Sequence, residues 1–209
     1  MTDIYEITLA FDNDEKIIIQ FQEPLSEVNC CTESSVIFIQ NGKQLVLSHD
    51  LFSYSVNMLN TLLKKALKRE LTLHNSITKD IGYLFNQYSA ITCGGKLEEP
   101  TFLSYIQRDN RSYWPGNDYH LWDKNYITWL YNNFAGAIIF EITPFYPYMY
   151  SEPEEELNYI SYQEWIKTYQ PYFIKEISIQ TAQEWLRQVE YILEKMDSNI
   201  KRWNNPTES

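Results

Sequence analysis

Asn41-Gly42 stands between two runs of strand-forming residues, 35–40 and 43–47. Both residues of such a two-residue turn take positive φ, which Asn and Gly tolerate best, so the pair commits its flanking runs to an antiparallel hairpin. Upstream, residues 4–11 and 16–21 are similarly rich in β-branched and aromatic residues, and Asp12-Asn13-Asp14 between them is a turn former. The first quarter of the chain therefore predicts a four-stranded antiparallel meander.

The period then changes. Phe52, Val56, Leu59, Leu63 and Ala66 recur at helical spacing and predict a helix that starts near Asp50, with His49-Asp50 as its capping pair. Lys64, Lys65, Lys68 and Arg69 complement the dipole of its last turns. A shorter helix is expected after an N-cap at Thr78, with Ile81, Leu84, Phe85 and Tyr88 on one face. Residues 92–100, with Gly94-Gly95, read as a loop and as a boundary between lobes. Strand signals return at 101–106, 119–122, 126–131 and 137–145 and predict a second meander.

Ser161-Tyr162-Gln163-Glu164 and Thr181-Ala182-Gln183-Glu184 both match the capping-box pattern and open helices. A strand is expected at 173–179 between them. The second helix carries Trp185, Val189, Ile192 and Met196 as an apolar stripe. The expected fold class is α+β, with two antiparallel β-meanders packed with three to four α-helices. The whole is read as one domain over 1–203, with lobes 1–91 and 101–203 and a flexible tail at 204–209.

Charge limits the partners. The net charge is −11, and it is uneven: residues 1–50 hold nine acids against two bases, and 151–209 hold eleven against six. Phosphate binding needs clustered Lys and Arg, so neither nucleic acid nor an anionic membrane suits this field, whereas a basic protein does. No apolar run approaches the roughly 20 residues of a membrane span, and the N-terminus lacks the pattern of a secretory signal. Three cysteines, Cys30, Cys31 and Cys93, two of them adjacent, fit a reducing compartment. A cytoplasmic protein is expected.

Motifs of catalysis are not found. No phosphate-cradling loop or hydrolase elbow occurs, and no cofactor is implied. His49, His74 and His120 do not pair at helical spacing, and Asp118, His120 and Asp123 make a poor metal set. Cys30 and Cys31 lie between Glu27 and Glu33, whose charge opposes thiolate formation. The segment with most to offer a partner joins Tyr146, Tyr148 and Tyr150 to Glu152, Glu154, Glu155 and Glu156 across prolines that forbid regular structure. Aromatic anchors beside a negative run combine affinity with electrostatic steering, which makes these seven the expected partner-binding residues. The competing readings are a small-molecule enzyme with a pocket of tyrosines and carboxylates, and a structural homodimer.

The stretch from Leu121-Trp122-Asp123 through Trp129-Leu130-Tyr131-Asn132-Asn133, with residues 138–144 and Tyr159 to Trp165, resembles a widespread group of small uncharacterised bacterial cytosolic proteins. In size, acidity and α+β character the chain is also similar in type to the immunity proteins that neutralise polymorphic bacterial toxins. That likeness implies an inhibitor of a basic toxin such as a nuclease. It transfers no functional residues.

Overall fold

The computed structural model describes residues 5–12, 14–75, 77, 79–92, 126–147 and 159–204. Strands β1 (Tyr5–Ala10), β2 (Glu15–Phe21), β3 (Glu33–Gln40) and β4 (Lys43–Leu51) form an antiparallel sheet in chain order. Asn41 and Gly42 turn between β3 and β4 with φ of 51° and 75°, the conformation that the dipeptide predicts. The β3–β4 register slips between Val36 and Ile37, so that Val36 faces Ser48 while Ile37 faces Val46. This bulge carries Ser48 into the interior and leaves His49 and Leu51 opposite Ser35 and Glu33 on the other face.

Helix α1 (Phe52–Leu67) follows directly. Its start corrects the expectation at His49-Asp50: β4 runs through Leu51, and no side chain caps the helix. The His49 ring instead meets the Ser35 hydroxyl across the strands at 2.9 Å. Helix α2 (Ile81–Thr92) starts later than the sequence suggests, with Asp80 accepting from the Tyr83 N–H at 2.7 Å as the cap. The expected cap at Thr78 lies outside the described residues, as do the strands expected at 101–106 and 119–122.

The second sheet comprises β5 (Tyr126–Asn132), β6 (Ile138–Pro144) and β7 (Phe173–Ile177), again antiparallel and in that order. Between β6 and β7 lies a one-turn helix α3 (Tyr162–Trp165), opened by the Ser161–Glu164 capping box as expected. Helix α4 (Ile179–Asn204) closes the described fold. Its cap is Ser178, whose hydroxyl accepts from the Thr181 N–H at 3.0 Å, so the second predicted capping box is displaced by one turn.

Ala182, Trp185, Val189, Ile192, Met196 and Asn199 are buried at alternating three- and four-residue steps, which lays one face of α4 against α1. Lys64 of α1 joins Glu190 of α4 at 2.8 Å. Both sheets contribute to one apolar core, and their junction is a group of rings: Phe11 packs on Phe38, Phe140, Phe173 and Trp185. The Trp185 indole N–H donates to the Ala10 carbonyl at 3.0 Å, so one side chain locks α4 to the end of β1. Lys175 of β7 adds an ionic tie to Asp12 and Glu15, across the β1–β2 turn. Its ammonium is held above the ordinary lysine range: burial opposes the charge, but the two carboxylates outweigh it.

Trp185→Ala removes a side chain only 1% exposed at this junction. It is expected to cost about 3–5 kcal/mol, seen as a fall in the denaturant midpoint. Trp185→Phe should lose less, since a ring still fills most of the site while the bond to Ala10 goes.

Candidate functional site

Two polar regions stand out. One is closed and the other open. The closed one forms where α2 meets the second sheet. Glu141 of β6 is fully buried, with its Oε1 accepting from the Gly82 N–H at 2.8 Å and its Oε2 from the Tyr131 hydroxyl at 2.7 Å. Asp80 beside it accepts from the Tyr169 hydroxyl at 2.6 Å. Gly82 permits the approach: a Cβ there would lie 2.1 Å from Thr143 Oγ1. That hydroxyl also accepts from the Trp129 indole at 3.0 Å. Asn86, one turn on, donates to the carbonyls of Gly82 and Pro144 and accepts from the Tyr146 N–H.

Removal from water raises the Glu141 carboxyl to about 8, helped by the negative charge of Asp80 and against its own hydrogen bonds. The Tyr131 and Tyr169 hydroxyls are likewise pushed up, by burial first and then by Glu141 and Asp80 respectively. At neutral pH Glu141 is therefore largely protonated and its neighbours are phenols. The groups bond one another and the backbone of α2. They fix the N-terminus of α2, the strand pair β5–β6 and the segment after α3 in one arrangement.

The open region lies at the C-terminal end of α4. Residues 22–32 are folded there by their own side chains. Glu27 and Val28 N–H groups return to the Pro24 carbonyl, and Asn29 and Thr32 bond each other reciprocally. Asn199, on the buried stripe of α4, donates to the carbonyls of Leu25 and Val28 at 3.0 and 2.9 Å and so pins the segment to the helix. The result is a cleft of about 460 Å³ lined by Glu23, Glu27, Asn199, Arg202 and Trp203. Trp203 is 82% exposed. Arg202 turns its guanidinium to Asn199 Oδ1. On the far side of Glu23, a second cleft of about 340 Å³ is lined by Gln20, Cys31, Glu33, Ser35 and His49.

The partner-binding residues expected from sequence divide accordingly. Tyr148, Tyr150, Glu152, Glu154, Glu155 and Glu156 lie outside the described residues. Tyr146 is described, and it is a correction: only 5% exposed, it packs edge-on against Tyr162 and tilted against Trp165, and its hydroxyl donates to the Ile160 carbonyl. It anchors α3 and offers no face to a partner. Asp118, His120 and Asp123 also lie outside the described residues, among which no group of three or more His, Cys, Asp or Glu side chains is placed to hold a metal ion. Neither the Glu141 centre nor Trp203 was singled out from sequence. Lone acids carry no local signal of burial, and a tryptophan near a helix end reads as packing.

Comparison of the chain with protein families, with curated proteins and with solved structures finds no match. Among the described residues no helix is long and apolar enough to cross a membrane.

The Glu141 centre sets a pH dependence. A carboxyl raised in the folded state holds a proton that the unfolded chain has already released, so stability falls as pH rises from about 4.5 towards about 8 and levels above it. The slope contributed in that window approaches about 1.4 kcal/mol per pH unit. Denaturant midpoints between pH 5 and 8.5 should show it, and Glu141→Gln, neutral throughout, should flatten it. An unchanged slope in that variant would assign the proton elsewhere.

Proposed function

We propose that this chain is a non-enzymatic, acidic protein-binding module whose partner is a basic protein, in the manner of an immunity-type inhibitor of a basic toxin. The observation that carries the reading is Trp203, a large ring left in solvent at the rim of a cleft that also holds Glu23 and Glu27. Tryptophan is the side chain most enriched among the residues that dominate protein interfaces. Its ring face attracts Lys and Arg, and carboxylates alongside it strengthen and orient that attraction. One wall of the cleft is uniformly acidic: between Lys16 and Lys43 there is no Lys or Arg, while Glu23, Glu27 and Glu33 are all present, and on the other wall Arg202 is engaged with Asn199.

The enzyme reading finds its tyrosines and carboxylates in the Glu141 centre. That centre argues against it, because Glu141 is fully buried and both its oxygens are engaged within the fold. A substrate would first have to break the contacts that seat α2.

The test starts from affinity capture with the purified chain at low and high salt, bound proteins being identified by mass spectrometry. A stoichiometric basic partner, released by salt, is expected. With that partner in hand, Trp203→Ala should raise the Kd by about 2 kcal/mol or more, a factor of about 30. Glu23→Gln with Glu27→Gln should mainly slow association and flatten its salt dependence. Replacing Glu152, Glu154, Glu155 and Glu156 by Gln measures the share of the acidic segment expected from sequence. A partner indifferent to all three variants would move the interface elsewhere, and an acidic or salt-indifferent partner would end the electrostatic reading.

A further inference from the structure

Cys30 and Cys31 are neighbours in sequence, exposed, and their sulfurs lie 3.8 Å apart. In extended backbone adjacent side chains point to opposite sides, so two sulfurs on one side need a turn. The turn is built in. Asn29 Oδ1 accepts from the Cys31 N–H at 2.8 Å, the Thr32 N–H returns to the Asn29 carbonyl at 3.3 Å, and Thr32 Oγ1 accepts from the Asn29 N–H at 3.0 Å. Ser53, at the start of α1, donates to the Cys30 carbonyl. None of these bonds uses a sulfur, so the segment holds the pair in place and leaves both thiols for other work.

The spacing selects what that work is. A disulfide needs its sulfurs about 2.05 Å apart and its Cα atoms about 4.4–6.8 Å apart, whereas adjacent Cα atoms across a trans peptide are about 3.8 Å apart. Direct oxidation of this pair is therefore strained. A single atom bridging the two sulfurs fits: with sulfur bonds of about 2.3 Å at a tetrahedral angle, the sulfurs sit about 3.8 Å apart. We propose that Cys30 and Cys31 form a chelating site for one thiophilic centre, either trivalent arsenic or a soft divalent cation, bound through both sulfurs. Softness follows from the donors, since thiolates select soft ions over Mg²⁺ or Ca²⁺. The cleft that Cys31 lines also holds Glu23 and Glu33, whose carboxylates draw a cation in, beside the His49 ring. The site is independent of the protein-binding reading above and stands or falls apart from it.

Both reactions balance without a redox partner. An arsenoxide, R–As=O, condenses with the two thiols to give R–As(S)₂ and one water, the two thiol protons leaving with the oxygen. A divalent cation displaces both protons to solvent and forms two metal–sulfur bonds. Both sulfurs give up their protons on binding a cation, so cation binding increases with pH.

The experiment uses the full chain with Cys93→Ser, so that only this pair can react, and native mass spectrometry as the readout. Phenylarsine oxide and Cd²⁺ are the two probes, and they separate the arsenical from the cation as source. One equivalent of either should remain bound after desalting. Cys30→Ser and Cys31→Ser should each weaken it by about 100-fold or more, since the second bond of a chelate is intramolecular. If Cys93→Ser does not fold, the wild-type chain is digested after labelling and the adduct located by peptide mass. Retention in either single variant, an adduct mapped to Cys93, or no adduct with either probe would overturn the site.

Discussion

A carboxyl group buried in a protein has to find its partners there, and Glu141 finds them in two separate parts of the chain. Its donors come from the first turn of α2 and from β5, and its charge is opposed by Asp80, which Tyr169 in turn holds from beyond α3. A buried polar group left unsatisfied costs about 1–3 kcal/mol. The arrangement is thus all or nothing: α2 sits on this sheet in the one position where Gly82 can reach Oε1 and Thr143 leaves room for it. The apolar contacts of α2 alone would allow it to slide. Hydrogen bonds with fixed geometry do not.

Groups that satisfy one another are spent, and the segment beside the C-terminal end of α4 is built on the reverse plan. Residues 22–32 contain few apolar side chains beyond Leu25 and the buried Val28, so their order comes from Asn29, Thr32 and the reach of Asn199 from α4. Each of those polar side chains is consumed in shaping backbone. Glu27, the two thiols and the Trp203 ring are among what remains in solvent, held in place by a frame built from other side chains.

The strands and the long helices were legible because each depends on a local rule. Asn41-Gly42 dictates its turn, and the stripe Trp185, Val189, Ile192, Met196 repeats at helical spacing. The ends of elements were less so. A one-turn shift places Ser178 in the capping role that Thr181 was expected to fill: both present a hydroxyl, and that of Ser178 accepts from the Thr181 N–H. The candidate sites were least legible. Glu141 looks like any of 28 acids until β5, β6 and α2 converge on it. Tyr146 misled for the complementary reason: it sits between prolines in a run that reads as surface, yet Tyr162 and Trp165, distant in sequence, return to cover it.

The adjacent cysteines show the same limit from another side. Sequence gives their neighbours as glutamates, and from that alone the pair reads as inert, since negative charge disfavours a thiolate nucleophile. Geometry changes the question. What a chelate requires is two sulfurs at the right separation, and the acidity that weakens a nucleophile attracts a cation. A feature dismissed for one chemistry is suited to another because the deciding variable is the turn that brings two adjacent side chains to one side, and that turn is shaped by Asn29 and Thr32.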